Sequence, residues 1–339
     1  MDLNTIWFFL VGIMFLGYAV LDGFDLGVGT LHLFTRTDAE RRIMLNSIGP
    51  VWDGNEVWLV CGVGALFGAF PHVYATAFSG FYMVCILLLV ALIFRAVAIE
   101  FRSKEHWGWW RKLWDVTFAA GSIMPPVLFG IVIGNLVIGV PIGPDGELRY
   151  TSFFELLTPY PLLVGAFILS LFTLHGAVYL NLKTEGELQQ RVKSWARRCF
   201  FIFLALYVVT TAVTLTQHPH MIASFKEHWW AWILVALTVL AVANVPRTLH
   251  KGYEYRALAT SACVIAGTVA LFGIGLFPVL MRSSLEPSWS LDIYNSASSP
   301  QTLKIMLIMA AVGIPFVLAY TLGIYWVFRG KVKVDKHSY

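Results

Sequence analysis

An all-α, polytopic membrane protein is predicted by three features of this sequence. Of its 339 residues, 58% are hydrophobic and only 13% are charged, about half the charged share of a soluble domain. The apolar residues gather in runs long enough to cross about 30 Å of hydrocarbon at about 1.5 Å per residue. The lysines and arginines lie between those runs, Arg95 excepted.

Nine spans are expected, at roughly 6–33, 51–70, 75–99, 115–139, 160–182, 199–216, 229–245, 257–280 and 304–328. The first has no basic leader and runs on too far for a cleaved signal, so it is expected to stay as a span. Nineteen lysines and arginines, Lys336 the last of them, follow the odd-numbered spans, against four after the even-numbered ones. By the positive-inside rule the N-terminus is then outside and the C-terminus cytoplasmic. The long outer segment from Pro141 to Pro159 suggests a division into a four-helix bundle over 1–139, an outer loop over 140–159, a second four-helix bundle over 160–281, and a ninth helix with its cytoplasmic tail over 282–339. FTRTDAERR after the first span and NLKTEGELQQR after the fifth are faintly alike, which hints at a duplicated four-helix unit.

Composition excludes several function classes. Cys61, Cys85, Cys199 and Cys263 sit in apolar segments without a CxxC or CxxCH pattern, which argues against disulfides, zinc and covalent haem. The formal charge of +4 comes from basic residues beside the spans, so no nucleic-acid partner is expected. No phosphate-binding loop, nucleophile with its base, or zinc site is visible. Trp229, Trp230 and Trp232 read as an interfacial aromatic belt.

The chemistry-bearing stretch is GYAVLDGFDLGVG, Gly17 to Gly29, where Asp22 and Asp25 interrupt an apolar run. A charged side chain deep in lipid costs about 2.5–3.5 kcal/mol on insertion scales, so such acids face a bundle interior or a water path. Three residues apart, they share a helix face, and Gly23 and Gly27 let another backbone approach. Two readings stand open: bonds to neighbouring helices, or a role in moving protons or holding a polar ligand. The second span opens after Pro50 with WDGNEVW, placing Asp53 and Glu56 on one face. Acids in a first helical turn are also stabilised by the helix dipole alone. On the orientation above, all four carboxylates lie toward the cytoplasmic surface. Arg95, inside the third span, either pairs with an aspartate or snorkels to the interface. Pro125 and Pro126 are expected to kink the fourth span, whose glycines Gly121, Gly130, Gly134 and Gly139 allow close packing.

A lone histidine at membrane depth, His175, is read as a packing residue in preference to a haem ligand. Bis-histidine ligation needs a second histidine at matching depth, and His32, His72, His106, His218, His220, His228, His250 and His337 fall at span ends or in loops.

Several blocks together resemble subunit II of the cytochrome bd-type quinol oxidases: GYAVLDGFDLGVG, ERRIMLNSIGPVWDGNEVWLV, FSGFYMVCILLLVALIFRAVAIEFRSK, GSIMPPVLFG and GLFPVLMRSS. The resemblance covers nearly the whole chain and implies a partner, a haem-bearing subunit I that holds haem b, haem d and the quinol-oxidising loop. It implies a pseudo-symmetric heterodimer in a bacterial or archaeal cell membrane, with small single-helix accessory subunits in some complexes. This chain is expected to ligate no cofactor; some members hold a structural quinone in subunit II, which these residues neither support nor exclude. The resemblance also implies a hydrophilic path from the cytoplasm, with Asp22 or Asp25 and Asp53 at the matching positions, Glu56 beside them and Arg95 as a charge partner. Two other classes compete: a secondary transporter that uses the intramembrane acids, and a purely structural scaffold.

Overall fold

The computed structural model describes residues 2–227 and 229–333; the expectations placed on His228, Lys336 and His337 lie outside the described residues. The chain is a bundle of long helices with one two-stranded β-ribbon. The helices are α1 (Leu3–Leu31), α2 (Asp38–Ile48), α3 (Trp52–Ala69), α4 (Pro71–Gly80), α5 (Tyr82–Phe101), α6 (Gly108–Ile138), α7 (Pro159–Lys183), α8 (Gly186–Gln217), α9 (Ala223–Glu227), α10 (Ala231–His250), α11 (Glu254–Leu276) and α12 (Pro300–Val327). Strands β1 (Val279–Met281) and β2 (Leu291–Asp292) pair antiparallel.

Among the described residues, eight helices are long and apolar enough to cross a membrane. The stretch read as the second span is α3, an 18-residue helix whose opening Asp53, Asn55 and Glu56 make it more polar than the other eight. Two expectations are corrected. The span expected over 75–99 is two helices, α4 and α5, meeting at Phe81. Gly80 ends the first of them, where Leu148 of the outer loop packs so closely that an added Cβ would lie 1.9 Å from its side chain. The span expected over 257–280 stops at Leu276, because Pro278 supplies no amide to continue it and the chain turns into β1. Pro125 and Pro126 sit inside a single helix, α6, that continues for 31 residues.

Start signals account for several helix ends. Asp2 caps α1 by accepting from the Thr5 amide at 2.7 Å. Thr37 caps α2 by accepting from the Glu40 amide at 3.3 Å, and Glu40 reaches back to accept from the Arg36 amide at 2.8 Å. Proline opens α4, α7 and α12, where a missing amide costs nothing. The amphipathic α2 was not anticipated, because its eleven residues make too short a run to span.

The bundle is built around α1 and α7. The apolar window of α7 is 72% buried, whereas that of α12 is wholly unburied. Gly27 and Gly176 bring the α1 and α7 backbones into contact: a Cβ on Gly27 would lie 1.9 Å from the Phe172 carbonyl oxygen. Around this crossing Leu26, Phe172, Leu174 and Val178 pack with Phe203 of α8 and Val264 of α11. A second apolar cluster joins Val28, Met44, Ile99 and Phe118, and a third joins Trp7, Phe70, Ile131 and Leu303 at the opposite end. The peripheral α12 is tied at its start by the Trp7 indole, which donates to the Leu303 carbonyl at 2.9 Å. Ser298 helps just before it, donating to Gly68 and Ala69 carbonyls. The two faintly similar segments meet, since Arg191 pairs with Glu40.

Candidate functional site

Three helices bring four of the five sequence-predicted residues together: α1 supplies Asp22 and Asp25, α3 supplies Glu56 along with the unpredicted Asn55, and α5 supplies Arg95. Asp22, Asp25 and Arg95 have no solvent exposure at all. Arg95 Nη2 donates to Asp22 Oδ1 at 2.8 Å, and its Nη1 lies 3.6 Å from Glu56 Oε2. Of the two readings of Arg95, pairing is therefore the observed one.

Asp25 has a different environment. Its Oδ2 accepts from the Asn55 amide at 2.7 Å, and the Asn55 carbonyl oxygen accepts from Tyr325 of α12 at 2.8 Å. Tyr325 lies edge-on to Phe24, which stacks on Tyr179 at 4.0 Å. Several buried polar atoms here have no hydrogen-bond partner among the described residues: Tyr18 Oη, Asp22 Oδ2, Asp25 Oδ1, and Nε and Nη1 of Arg95. A native interior leaves few such atoms, so a group of them marks a place where something other than packing is served. Asp53, expected beside Glu56, is exposed on α3 and stands apart from this group.

A second cluster went unread in the sequence. Asp115 at the start of α6 is 1% exposed and takes hydrogen bonds from Arg102 Nε at 2.5 Å and Arg41 Nη1 at 2.7 Å. His32 Nε2 shares a 2.7 Å bond with the same carboxylate. Arg102 also reaches Asp38 at 2.6 Å, and Arg111 joins that aspartate at 3.2 Å. Burial works against the charge of Arg102, but the bonds from Asp115 and Asp38 outweigh it and raise its pKa further. Burial likewise opposes the Glu40 charge, yet the Arg36 amide and Arg191 hold its carboxyl below the usual range. An acid heading an apolar run beside basic residues was the signal available for Asp115.

Haem ligation does not fit these side chains. His175 has both ring nitrogens engaged, Nδ1 with Ser261 at 2.8 Å and Nε2 with the Val20 carbonyl at 3.0 Å. His32 spends its Nε2 on Asp115. No group of three or more His, Cys, Asp or Glu among the described residues is arranged to hold a metal ion.

Residues 3–328 match the family model described as cytochrome bd terminal oxidase subunit II. The chain belongs to the cytochrome bd subunit II family. Among its members the chain is similar to the cytochrome bd-I ubiquinol oxidase subunit 2 of Escherichia coli strain K12, with 38% identity over 97% of this chain and 95% of that one. It is similar also to the cytochrome bd ubiquinol oxidase subunit 2 of Bacillus subtilis strain 168, with 34% identity over 98% and 97% of the two chains. In fold it matches a chain in the structure of the bd oxidase from Geobacillus thermodenitrificans, with a TM-score of 0.81 at 16% identity, covering 97% of this chain and 99% of that one. Membership of the subunit II family leaves the transporter reading without support.

Proposed function

We propose that this chain is subunit II of a bd-type quinol oxidase, paired in a bacterial or archaeal cell membrane with a haem-bearing subunit I, and that it carries protons toward that partner. The family match over residues 3–328 supports the first part. The second rests on one observation: two carboxylates without solvent exposure, Asp22 bonded directly to Arg95 and Asp25 hydrogen-bonded only to a neutral amide among the described residues, with Arg95 acting on it at longer range. A buried acid that no cation hydrogen-bonds is expensive in a membrane, which supports a working role for it.

In this reading the haems of subunit I supply electron transfer to oxygen, and this chain supplies a path for the protons that reduction consumes. Asp25 and Asp22 are the buried members, Glu56 lies within reach of Arg95, and exposed Asp53 is the member at the protein surface. Arg95 holds Asp22 in place. The excess of basic residues after alternate spans supports a cytoplasmic C-terminus and puts these acids toward the side that donates protons. The division into two four-helix bundles, 1–139 and 160–281, on either side of the outer loop, belongs to the same proposal, as do the quinol substrate and single-helix accessory subunits.

The test is quinol-driven oxygen consumption in membranes that hold the assembled oxidase, with the haem spectrum recorded alongside. Asp25→Asn is expected to slow turnover by about a hundred-fold or more, the range of a lost proton-transfer group, with the spectrum unchanged. Wild-type turnover in that variant would leave the scaffold reading standing instead.

A further inference from the structure

A polar cavity of about 340 Å³ opens between α12, the residues that follow it and the ends of α2 and α7. Its walls include Ser47, Tyr179, Lys183, Tyr325 and Lys331. At about 30 Å³ per water it has room for on the order of ten. Its cations are largely answered: Lys183 donates to the Phe328 and Gly330 carbonyls, and Lys331 pairs with Glu254 at 2.8 Å. The segment after α12 forms its outer wall, and the Val332 amide holds that segment down by donating to the Lys183 carbonyl at 2.9 Å.

Tyr325 belongs to both the cavity wall and the buried acid cluster. From its hydroxyl two hydrogen bonds, 2.8 and 2.7 Å, lead through Asn55 to Asp25 Oδ2. An amide side chain donates and accepts but does not readily hand on a proton, so Asn55 orients the acid and does not conduct to it. The other carboxylate oxygen, Oδ1, is buried and has no hydrogen-bond partner.

We infer that this cavity is the inlet through which water delivers protons to Asp25, with Tyr325 as the residue that controls access between them. The inference rests on the relay proposed above and gives it a starting point. A proton carried on cavity water passes to Asp25 Oδ1, leaving neutral water, and the carboxylic acid later releases the same proton to the next group. Tyr325 is a positioning residue in this scheme: it lines the cavity, and its hydroxyl fixes the Asn55 that holds the acid.

The test uses the assembled oxidase in membranes. Val332→Cys places a thiol on the outer wall of the cavity, away from the acids. Labelling it with a bulky cationic methanethiosulfonate is expected to cut quinol-driven oxygen consumption about ten-fold relative to the unlabelled variant, with the haem spectrum unchanged and the rate restored by a reducing thiol. Wild type, with Cys61, Cys85, Cys199 and Cys263, is treated identically as the reference. Tyr325→Phe keeps the ring and removes the hydroxyl; it is expected to slow turnover several-fold and to enlarge the solvent deuterium isotope effect, which a packing defect alone would not do. Full-rate turnover in completely labelled Val332→Cys, or an unchanged rate and isotope effect in Tyr325→Phe, overturns the inlet. If Asp25→Asn is slow while both of these run normally, the relay stands and the inlet falls; if Asp25→Asn also runs normally, both fall.

Discussion

Arg95, inside α5, and Arg102, which caps its end, lie seven residues apart, each shut away from solvent and each against an aspartate, yet they sit in different kinds of surroundings. Around Arg102 the carboxylate of Asp115 is saturated by His32, Arg41 and Arg102 itself, and the atoms of that cluster left without a partner among the described residues, His32 Nδ1 and Arg111 Nε, are not on the acid. Around Arg95 a carboxylate oxygen on each of Asp22 and Asp25, two guanidinium nitrogens and the Tyr18 hydroxyl are left over. The same pair of residue types thus makes a clamp in one place and a partly satisfied cluster in the other. What separates them is how completely the carboxylates are used: both oxygens of Asp115 are answered, whereas among the described residues Asp22 and Asp25 each keep one oxygen without a partner.

Breaking the clamp should have the largest effect on assembly. Asp115→Ala takes their shared carboxylate from Arg102, Arg41 and His32, leaving Arg102 only Asp38, and is expected to cost about 3–5 kcal/mol, the range for removing one partner of a buried charge pair; recovered complex and its thermal midpoint measure this. Asp22→Asn comes next, because it leaves the Arg95 charge buried but still able to donate to an amide oxygen. A loss of about 2–3 kcal/mol together with slower turnover is expected, read from the same midpoint and from oxygen consumption. Asp25→Asn sharpens the contrast: its partner is neutral, so stability should change by about 1 kcal/mol or less while turnover collapses. Equal midpoints for Asp22→Asn and Asp25→Asn would erase the distinction drawn between these two acids. Smallest of all is Arg149→Ala, which removes an arginine–aspartate pair exposed to water; its midpoint should match wild type, as expected where solvent screens the charges.

The contrast also explains what could be read from the sequence. Asp22, Asp25 and Arg95 announced themselves because a charge inside an apolar run is rare and costly, and the structure gathers them in one cluster. The long spans were visible for the same reason in reverse. Tyr325 was invisible: 270 residues separate it from Asn55, and a tyrosine near a span end usually anchors at the interface. Asn55 stood in plain view within WDGNEVW but carries no charge to draw notice. Asp115 was taken as the edge of a span, and only the fold shows that the end of α1, the start of α2 and the end of α5 converge on it. The break at Phe81 depends on Leu148 pressing on Gly80, a contact between distant parts of the chain that no local pattern encodes.

One further consequence concerns the order in which the protein is made. Ribosomes deliver a chain from its N-terminus, so the helices that carry Asp22, Asp25, Asn55 and Arg95 enter the membrane early, and α12, with Tyr325 near its end, enters last. Until then the Asn55 carbonyl lacks the tyrosine, and the Phe328 and Gly330 carbonyls that receive Lys183 have not been synthesised. Biogenesis therefore finishes the acid cluster with its final helix, and a nascent chain stalled before α12 would hold every carboxylate of the cluster without the tyrosine that fixes Asn55.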